Sequence, residues 1–231
     1  MSGSGLFLYE RPFRGSYPKH GPEGEARDLR DDLQKWLPLL AAITVEEFTN
    51  PPAASAAGIL AATASSIAVQ AIGPASMVGA PTTEFVLPFP RPITVTTAGA
   101  TPSDAPANVV ITGKDVDGNG MTETIAVPQT ATVQAGVKCF KSVSLITTTA
   151  GDGTGATMAI GWDAPIGLTR SPKARAGATL MVREIAVGAL VTTGAISSSA
   201  TNAPHGMYTP AAAADGARDY AIFYEMEVPT A

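Results

Sequence analysis

The residues best suited to bind a metal ion lie in a short acidic, glycine-rich stretch near the middle of the chain. The stretch reads Asp115-Val-Asp117-Gly-Asn119-Gly120, which matches the start of a calcium-binding loop. That loop needs a bidentate Glu at its twelfth position, and the residue there is Ala126. Asp-Gly and Asn-Gly between two β-type runs are strong signals for a tight hairpin. We therefore interpret the stretch as a hairpin turn and predict no metal and no cofactor.

No other group of residues has the spacing of a catalytic site. The Gly-rich stretch 151–155 lacks the Lys of a phosphate-binding loop, and the G-x-S-x-G motif of hydrolases does not occur. His20 and His205 lie far apart, with no acid or nucleophile motif nearby, and a catalytic triad needs three convergent groups. Cys139 lies in a β-type run, which favours a small buried side chain. The sequence thus predicts no catalytic residues and a protein that is not an enzyme.

Composition excludes several classes of function. Among 231 residues, 15 Lys and Arg stand against 20 Asp and Glu, giving a net charge of −5, which argues against nucleic-acid binding. One Cys and two His exclude a disulfide framework and a Cys/His zinc site. The uncharged run 51–83 is rich in small residues and prolines, so we expect no membrane-spanning helix.

The first 50 residues are predicted to form an N-terminal arm and helix that make assembly contacts. Residues 1–22 combine Gly and Pro with aromatic residues, and aromatics are uncommon in disordered tails, so we expect an extended arm that packs on another surface. Residues 24–37 have the period of an amphipathic helix, which Pro38 ends. The candidate partner-binding residues are Phe7, Tyr9, Phe13, Tyr17, Leu29, Leu33 and Trp36.

The rest of the chain has a β-type pattern. Residues 51–84 form an uncharged linker or packing segment, and 53–72 could be helical or extended because small residues tolerate both. From residue 85 onward, short runs with a period of two alternate with Gly, Pro and Asp turns, which predicts an antiparallel β-sandwich or barrel over 85–231. Glu123 shares the parity of apolar neighbours and is expected at a strand margin. Residues 189–216 are expected to form long loops.

One region of about 80 residues, 88–168, resembles a known family. In order it contains PFPRPITVTT (88–97), ANVVITG (107–113), DVDGNGMTETI (115–125), GVKCFKSV (136–143), IGW (160–162) and IGL (166–168). This order is similar to the accessory structural proteins of tailed-bacteriophage virions, whose pattern includes V-x-I-T-G-x-D-x-x-G-x-x-x-T-E-T-I followed by G-x-K-A-F-K-T-V. Cys139 replaces the usual Ala, and Trp162 follows the Gly of the V-S-I-G piece. Both differences concern packing.

The resemblance implies a structural role in a phage particle assembled in the bacterial cytoplasm. The leading expectation is a capsid decoration or cement protein that binds the major capsid protein or neighbouring virion proteins through its arm. A homo-oligomer is expected, because weak contacts add up over a symmetric lattice. A neck, collar, tail or fibre-base protein remains the alternative, followed by a receptor- or carbohydrate-binding module.

Overall fold

A computed structural model describes residues 43–99, 102–128, 132–153, 155–172, 181–186, 189–190, 194–197 and 205–225. The arm, the amphipathic helix at 24–37 and all seven candidate partner-binding residues lie outside this part of the chain.

The described chain is mainly β, and its sheets are antiparallel, as predicted. The strands are β1 (Ile43–Phe48), β2 (Ser55–Ala64), β3 (Gln70–Ile72), β4 (Phe85–Gly99), β5 (Asn108–Lys114), β6 (Gly120–Ala126), β7 (Thr132–Thr148), β8 (Ala156–Trp162), β9 (Ile166–Gly167), β10 (Met181–Ala186), β11 (Ala189–Leu190), β12 (Ala195–Ser197), β13 (Met207–Thr209) and β14 (Asp219–Glu225). The helical segments among the described residues are single 3₁₀ turns, Pro74–Ser76 and Pro102–Asp104.

The largest sheet has seven strands. Their order is β2-β8-β4-β7-β5-β6, and β3 pairs with the end of β7. The long strands β4 and β7 form its centre, and β2 and β6 are its terminal strands. Several breaks in register, such as that between Thr112 and Gly113, mark bulges that bend the strands.

Strict alternation along the strands builds the core of this sheet. In β6, Met121, Glu123 and Ile125 are buried while their neighbours are exposed, as a period of two requires when one face is covered. The same core takes Ile111 from β5 and Phe140 from β7, both fully buried. Glu123 lies in the middle of β6 rather than at its margin, so that expectation was wrong.

A second core joins the two smaller sheets. These sheets have the orders β1-β14-β10-β11 and β12-β13-β9. Tyr220, Ile222 and Tyr224 alternate along β14 and are buried in this core, as a period of two requires. Residues 189–216 had been expected to form long loops. The short strands β11, β12 and β13 lie within this segment, so it is not a loop throughout.

The uncharged segment before residue 85 is part of the main sheet. Its strands β2 and β3 pair with β8 and β7, so 53–72 is extended and not helical in these strands. Upstream of it, β1 pairs with β14 over Ile43–Phe48. Two backbone contacts add to these pairings, since Val78 N donates to Ile59 O and Ser65 N donates to Ala156 O.

Candidate functional site

Two pieces of the pattern that resembles the phage family, TETI (122–125) and GVKCFK (136–141), contact each other directly. The Glu123 carboxylate on β6 accepts hydrogen bonds from the backbone N–H of Val137 at 2.6 Å and of Lys138 at 3.3 Å on β7. Lys138 Nζ donates in return to the carbonyl oxygen of Thr122 at 2.8 Å. A Cβ at Gly136 would crowd the Glu123 carboxylate, so a larger residue there would have to displace this side chain from its present position.

Burial changes the acidity of this carboxyl group. Loss of hydration raises the pKa of Glu123 above its usual value, while the two backbone N–H donors and Lys138 act in the opposite direction. A buried carboxyl group with a raised pKa is a common feature of catalytic sites. Here the oxygen atoms of the group are taken up by backbone donors, so its role is to hold β6 against β7.

Lys141, the second lysine of GVKCFK, binds backbone carbonyl oxygens where the pairing of β4 with β7 is interrupted. Pro88 and Pro90 lie where β4 loses its pairing with β7, between Val86 and Arg91, because proline has no N–H to donate. Lys141 Nζ donates to the carbonyl oxygens of Leu87 and Pro88, each at 2.7 Å. Desolvation lowers the pKa of this amine.

Arg91 is a buried cation in the middle of β4. Its side chain is 1% exposed and donates to the carbonyl oxygens of Asp163 and Ala164 at 3.0 and 2.7 Å, and of Pro52 at 2.8 Å. Burial lowers its pKa to about 10, so it stays charged at neutral pH. Arg91 therefore holds the chain that enters β2 against the chain that leaves β8.

The predicted hairpin turn between β5 and β6 is confirmed. Asp115 Oδ1 accepts from the backbone N–H groups of Asp117 and Asn119, each at 2.9 Å, and Oδ2 accepts from the Asn119 side chain. Gly118 has a φ of +84°, a conformation that favours glycine. The loop's own donors thus occupy both oxygen atoms of the first acidic residue.

His205 has an acid and a hydroxyl as neighbours, which the sequence did not reveal. Its Nε2 lies 3.0 Å from Asp117 Oδ2 and its Nδ1 lies 2.9 Å from Ser171 Oγ. These three residue types form hydrolytic triads, but a triad also needs donors for an oxyanion. The residue after Ser171 is Pro172, which has no N–H, and the Asp117 side chain is 45% exposed. We read the cluster as a tie between the β5–β6 hairpin and two distant loops.

Cys139 is buried, as predicted for a small apolar side chain. It is 3% exposed, and burial raises the pKa of its thiol to about 12, which leaves it unreactive at neutral pH. A Cβ at Gly167 would lie 2.6 Å from Cys139 Cβ. The tight contact explains why the IGL piece and the GVKCFK piece need small residues at these positions.

The free sides of the two terminal strands of the main sheet form its edges. On β6, Lys138 occupies a carbonyl oxygen and Glu123 points a charge inward. On β2, residues 61–64 are all exposed, and the strand contains no charged residue. The following loop exposes Ile67 and Val69, each to 66%.

Within the described ranges, no group of three or more His, Cys, Asp or Glu residues could hold a metal ion. No helix there is long and apolar enough to cross a membrane. Comparisons with family models, with curated proteins and with solved structures found no match to this chain.

Proposed function

We propose that this chain is a structural component of a tailed-phage particle, a decoration or cement protein that binds the major capsid protein or neighbouring virion proteins. The observation that carries the proposal is the structural role of the residues in the pattern that resembles the phage family. Five of their charged side chains bind backbone groups, and most of their large apolar side chains are buried in the cores.

The polar residues of the pattern support this reading one by one. Arg91 binds three backbone carbonyl oxygens, Glu123 binds two backbone N–H groups, and Asp115 closes its own turn. Lys138 and Lys141 bind carbonyl oxygens on neighbouring strands. A pattern whose polar groups are consumed by the backbone specifies a scaffold, whereas a catalytic pattern leaves groups aimed at a substrate.

The apolar residues of the pattern have the same purpose. Ile93, Val109, Ile125 and Val143 are buried in the main core, and Ile166 is buried in the second core. Fully buried side chains of this kind stabilise the fold by removing apolar surface from water. They offer no contact to a ligand at the surface.

We also infer that the seven-stranded sheet curls around its core as a sandwich or as a barrel that stays open between β2 and β6. The inference is supported by the contact between the terminal strand β6 and the first half of β7, where the Glu123 carboxylate replaces ladder hydrogen bonds. The core of this sheet receives residues from β2, β4, β5, β6, β7 and β8. A single core that draws on every long strand is expected when a sheet curls around it.

Binding to the particle is assigned to the N-terminal arm, which lies outside the described residues. Its aromatic residues and the apolar stripe containing Leu29, Leu33 and Trp36 need a surface to cover them, because a lone helix of this length is marginal in water. A neighbouring subunit of the shell would provide that surface.

The proposal is tested by measuring the protein in purified particles of a phage that encodes it. Hundreds of copies per particle would fit a shell lattice, and about a dozen or fewer would move the assignment to the neck or tail. Absence from washed particles would overturn it.

The arm is tested in the same particles. Deletion of residues 1–37 should leave a soluble β-rich protein that no longer joins the virion, and Trp36→Ala should reduce incorporation, since buried aromatics anchor interfaces. Trp36→Phe is the matched control and should retain it. Wild-type copy number of the truncated chain would show that attachment lies elsewhere.

A further inference from the structure

The hairpin turn between β5 and β6 contains the one Asn-Gly pair of the sequence, Asn119 and Gly120. The other asparagines, Asn50, Asn108 and Asn202, precede Pro, Val and Ala. Both residues of the pair are exposed, and a Cβ built on Gly120 meets no described atom within 4 Å beyond those of its chain neighbours. An asparagine before an unhindered glycine loses its side-chain amide most readily, because the next main-chain nitrogen can reach the side-chain carbonyl carbon.

The nitrogen of Gly120 is not used in the β5–β6 ladder. Asp115 N donates to Asn119 O at 3.0 Å, and hydrogen-bonded pairs alternate with non-hydrogen-bonded pairs along antiparallel strands. The next pair, Lys114 and Gly120, is therefore non-hydrogen-bonded, and the Gly120 N–H points away from β5. No described strand pairs with β6 on that side, so this nitrogen is available as a nucleophile.

In the closed turn, Asp115 keeps the two reacting groups apart. Its Oδ1 accepts from the Asn119 backbone N–H at 2.9 Å, and its Oδ2 accepts from the Asn119 side-chain amide at 3.3 Å. These bonds hold the amide beside Asp115, whereas the Gly120 N–H points away from β5. The two groups therefore meet only when Asn119 leaves its bonded conformation, and such local opening is easiest at an exposed strand end.

We propose that Asn119 is a site of spontaneous deamidation and that Asp115 sets its rate by keeping the turn closed. The Gly120 nitrogen attacks Cγ of Asn119, so that a C–N bond forms, the Cγ–Nδ2 bond breaks, and ammonia leaves with the proton that the Gly120 nitrogen gives up. Water, which is the only co-reactant, then opens the cyclic imide at either of its carbonyl carbons. The products are aspartate and isoaspartate, in which the main chain runs through Cβ.

Either product changes the electrostatics of the turn. The new carboxylate at position 119 lies near those of Asp115 and Asp117, and it has no N–H to donate in place of the lost amide. Like charges this close disfavour the closed conformation. Asp117 also bonds His205 Nε2 at 3.0 Å, so we expect the modified turn to hold both the hairpin and this contact less firmly. The inference is independent of the proposed role in the virion.

The reaction is measured on the folded full-length chain, kept in mildly alkaline buffer at body temperature. Samples are digested at acid pH, which stops the reaction, and mass spectrometry follows the exchange of amide for acid at each asparagine. Asn50, Asn108 and Asn202 are the internal references. We expect Asn119 to react at least about tenfold faster than any of them, because only its following residue lacks a Cβ.

One variant tests the nucleophile. Gly120→Ala fits the open space beside the turn, and the φ of Gly120 lies outside the range that favours glycine, so we expect the fold to persist. The added Cβ should slow the reaction of Asn119 at least about tenfold. Circular dichroism checks the fold.

A second variant and a change of solvent test the role of Asp115. Asp115→Ala removes both side-chain bonds to Asn119 and should raise the rate several-fold. Because this variant could also lose the hairpin altogether, the wild type is measured in urea as well. The unfolded wild type should react faster than the folded wild type, since the turn that separates the reacting groups is then absent.

The consequence for the fold is tested with two substitutions at the same position. Asn119→Asp reproduces the aspartate product, and Asn119→Ala loses the same amide donor without gaining a charge. We expect Asn119→Asp to melt about 2–4 °C below Asn119→Ala, because only the former adds a third carboxylate to the turn. Equal melting temperatures would show that the modified turn is not loosened by its charge.

Three results would overturn the inference. The first is an Asn119 that reacts no faster than Asn108 or Asn202, and the second is a Gly120→Ala variant that reacts as fast as the wild type. The third is an equal rate in the folded and the urea-unfolded wild type, which would remove the protection assigned to Asp115.

Discussion

The two terminal strands of the main sheet differ in how their free sides are handled. The inward Glu123 carboxylate of β6 accepts from backbone N–H groups of β7, and Lys138 of β7 donates to a backbone carbonyl oxygen of β6. On β2, the outer half has only small uncharged side chains. Charged residues are therefore distributed unevenly in this sheet, and those of the β6 side bind backbone groups that link neighbouring strands.

The few charged residues in the chain that contains β2 and most of β4 make the same point. Between Pro51 and residue 110 the charges are Glu84, Arg91 and Asp104, and each has a structural partner. Glu84 accepts from Ser142, which lowers its pKa, Arg91 binds three carbonyl oxygens, and Asp104 accepts from Gly155 N–H.

The largest expected effect comes from removing the anchor on the β2 side. Arg91→Met should lower the free energy of unfolding by about 3–5 kcal/mol, because three partly buried carbonyl oxygens lose their donors. Arg91→Lys keeps the charge with fewer donors, so its stability should lie between that of the wild type and that of Arg91→Met. Urea denaturation measures both, and a loss under about 1 kcal/mol for Arg91→Met would show that water replaces the guanidinium.

On the β6 side, the carboxylate and the glycine that makes room for it should act as a pair. Glu123→Ala should cost about 2–4 kcal/mol by leaving two N–H groups without acceptors, and Gly136→Ala should cost about 1–3 kcal/mol by crowding the carboxylate. In the double variant the crowding is gone, so its loss of stability should be smaller than the sum of the two single losses. Simple additivity would mean that the contact is not formed.

The raised pKa of Glu123 gives a test by pH. A carboxyl group whose pKa is higher in the folded state stabilises the fold fully below its unfolded value, about 4.3 for Glu, and loses that contribution as the pH rises through the folded value. The stability of the wild type relative to Glu123→Gln should therefore fall between pH 4 and neutrality. A difference that rises over this range would contradict the burial of the carboxyl group.

A smaller effect is expected from uncovering the protected edge. Lys138→Met should cost about 0.5 kcal/mol, because the contact of its ammonium with Thr122 O is exposed. It should also increase self-association, since a carbonyl oxygen on β6 becomes free to pair. Lys138→Arg is the control that keeps a donor, and light scattering compares the two. Equal association would show that Glu123 alone protects this edge.

The smallest expected effect concerns the hairpin turn that leads into β6. In Asp117→Ala combined with Asn119→Ala, calcium should not change the melting temperature relative to chelator, and the wild type should show the same indifference. The reason is that Asp115 already binds donors of its own loop and that Ala126 replaces the required Glu. A rise in the wild-type midpoint with calcium would overturn the turn interpretation.

Much of the fold could be predicted because its signals are local. The alternation in β5 and β6 and the Asp-Gly-Asn-Gly turn between them lie within 20 residues of sequence, and each signal has one favoured structure. β2 could not be assigned, because its alanines favour a helix while its isoleucine and threonine favour a strand, and pairing with β8 decides between them. The candidate arm residues stay a prediction.

The roles of the charged side chains could not be predicted from the same patterns. A lone Arg or Glu in a β-type run gives no sign of whether it reaches water or the interior, since burial depends on what surrounds it. The sequence offered one usable signal for Arg91 and Glu123, which is their rarity in runs that are otherwise uncharged.

Residue types and their spacing along a short stretch of chain are enough to predict the β class, the β5–β6 hairpin and the uncharged character of β2. The contacts that fix the two terminal strands of the main sheet depend on the fold of the whole chain. They depend on it because the partners of Glu123, Arg91 and His205 come from distant segments, 14 residues away for Val137, 72 for Asp163 and 88 for Asp117. Local patterns contain no information about such meetings, and only the folding of the whole sheet brings the groups within hydrogen-bonding distance.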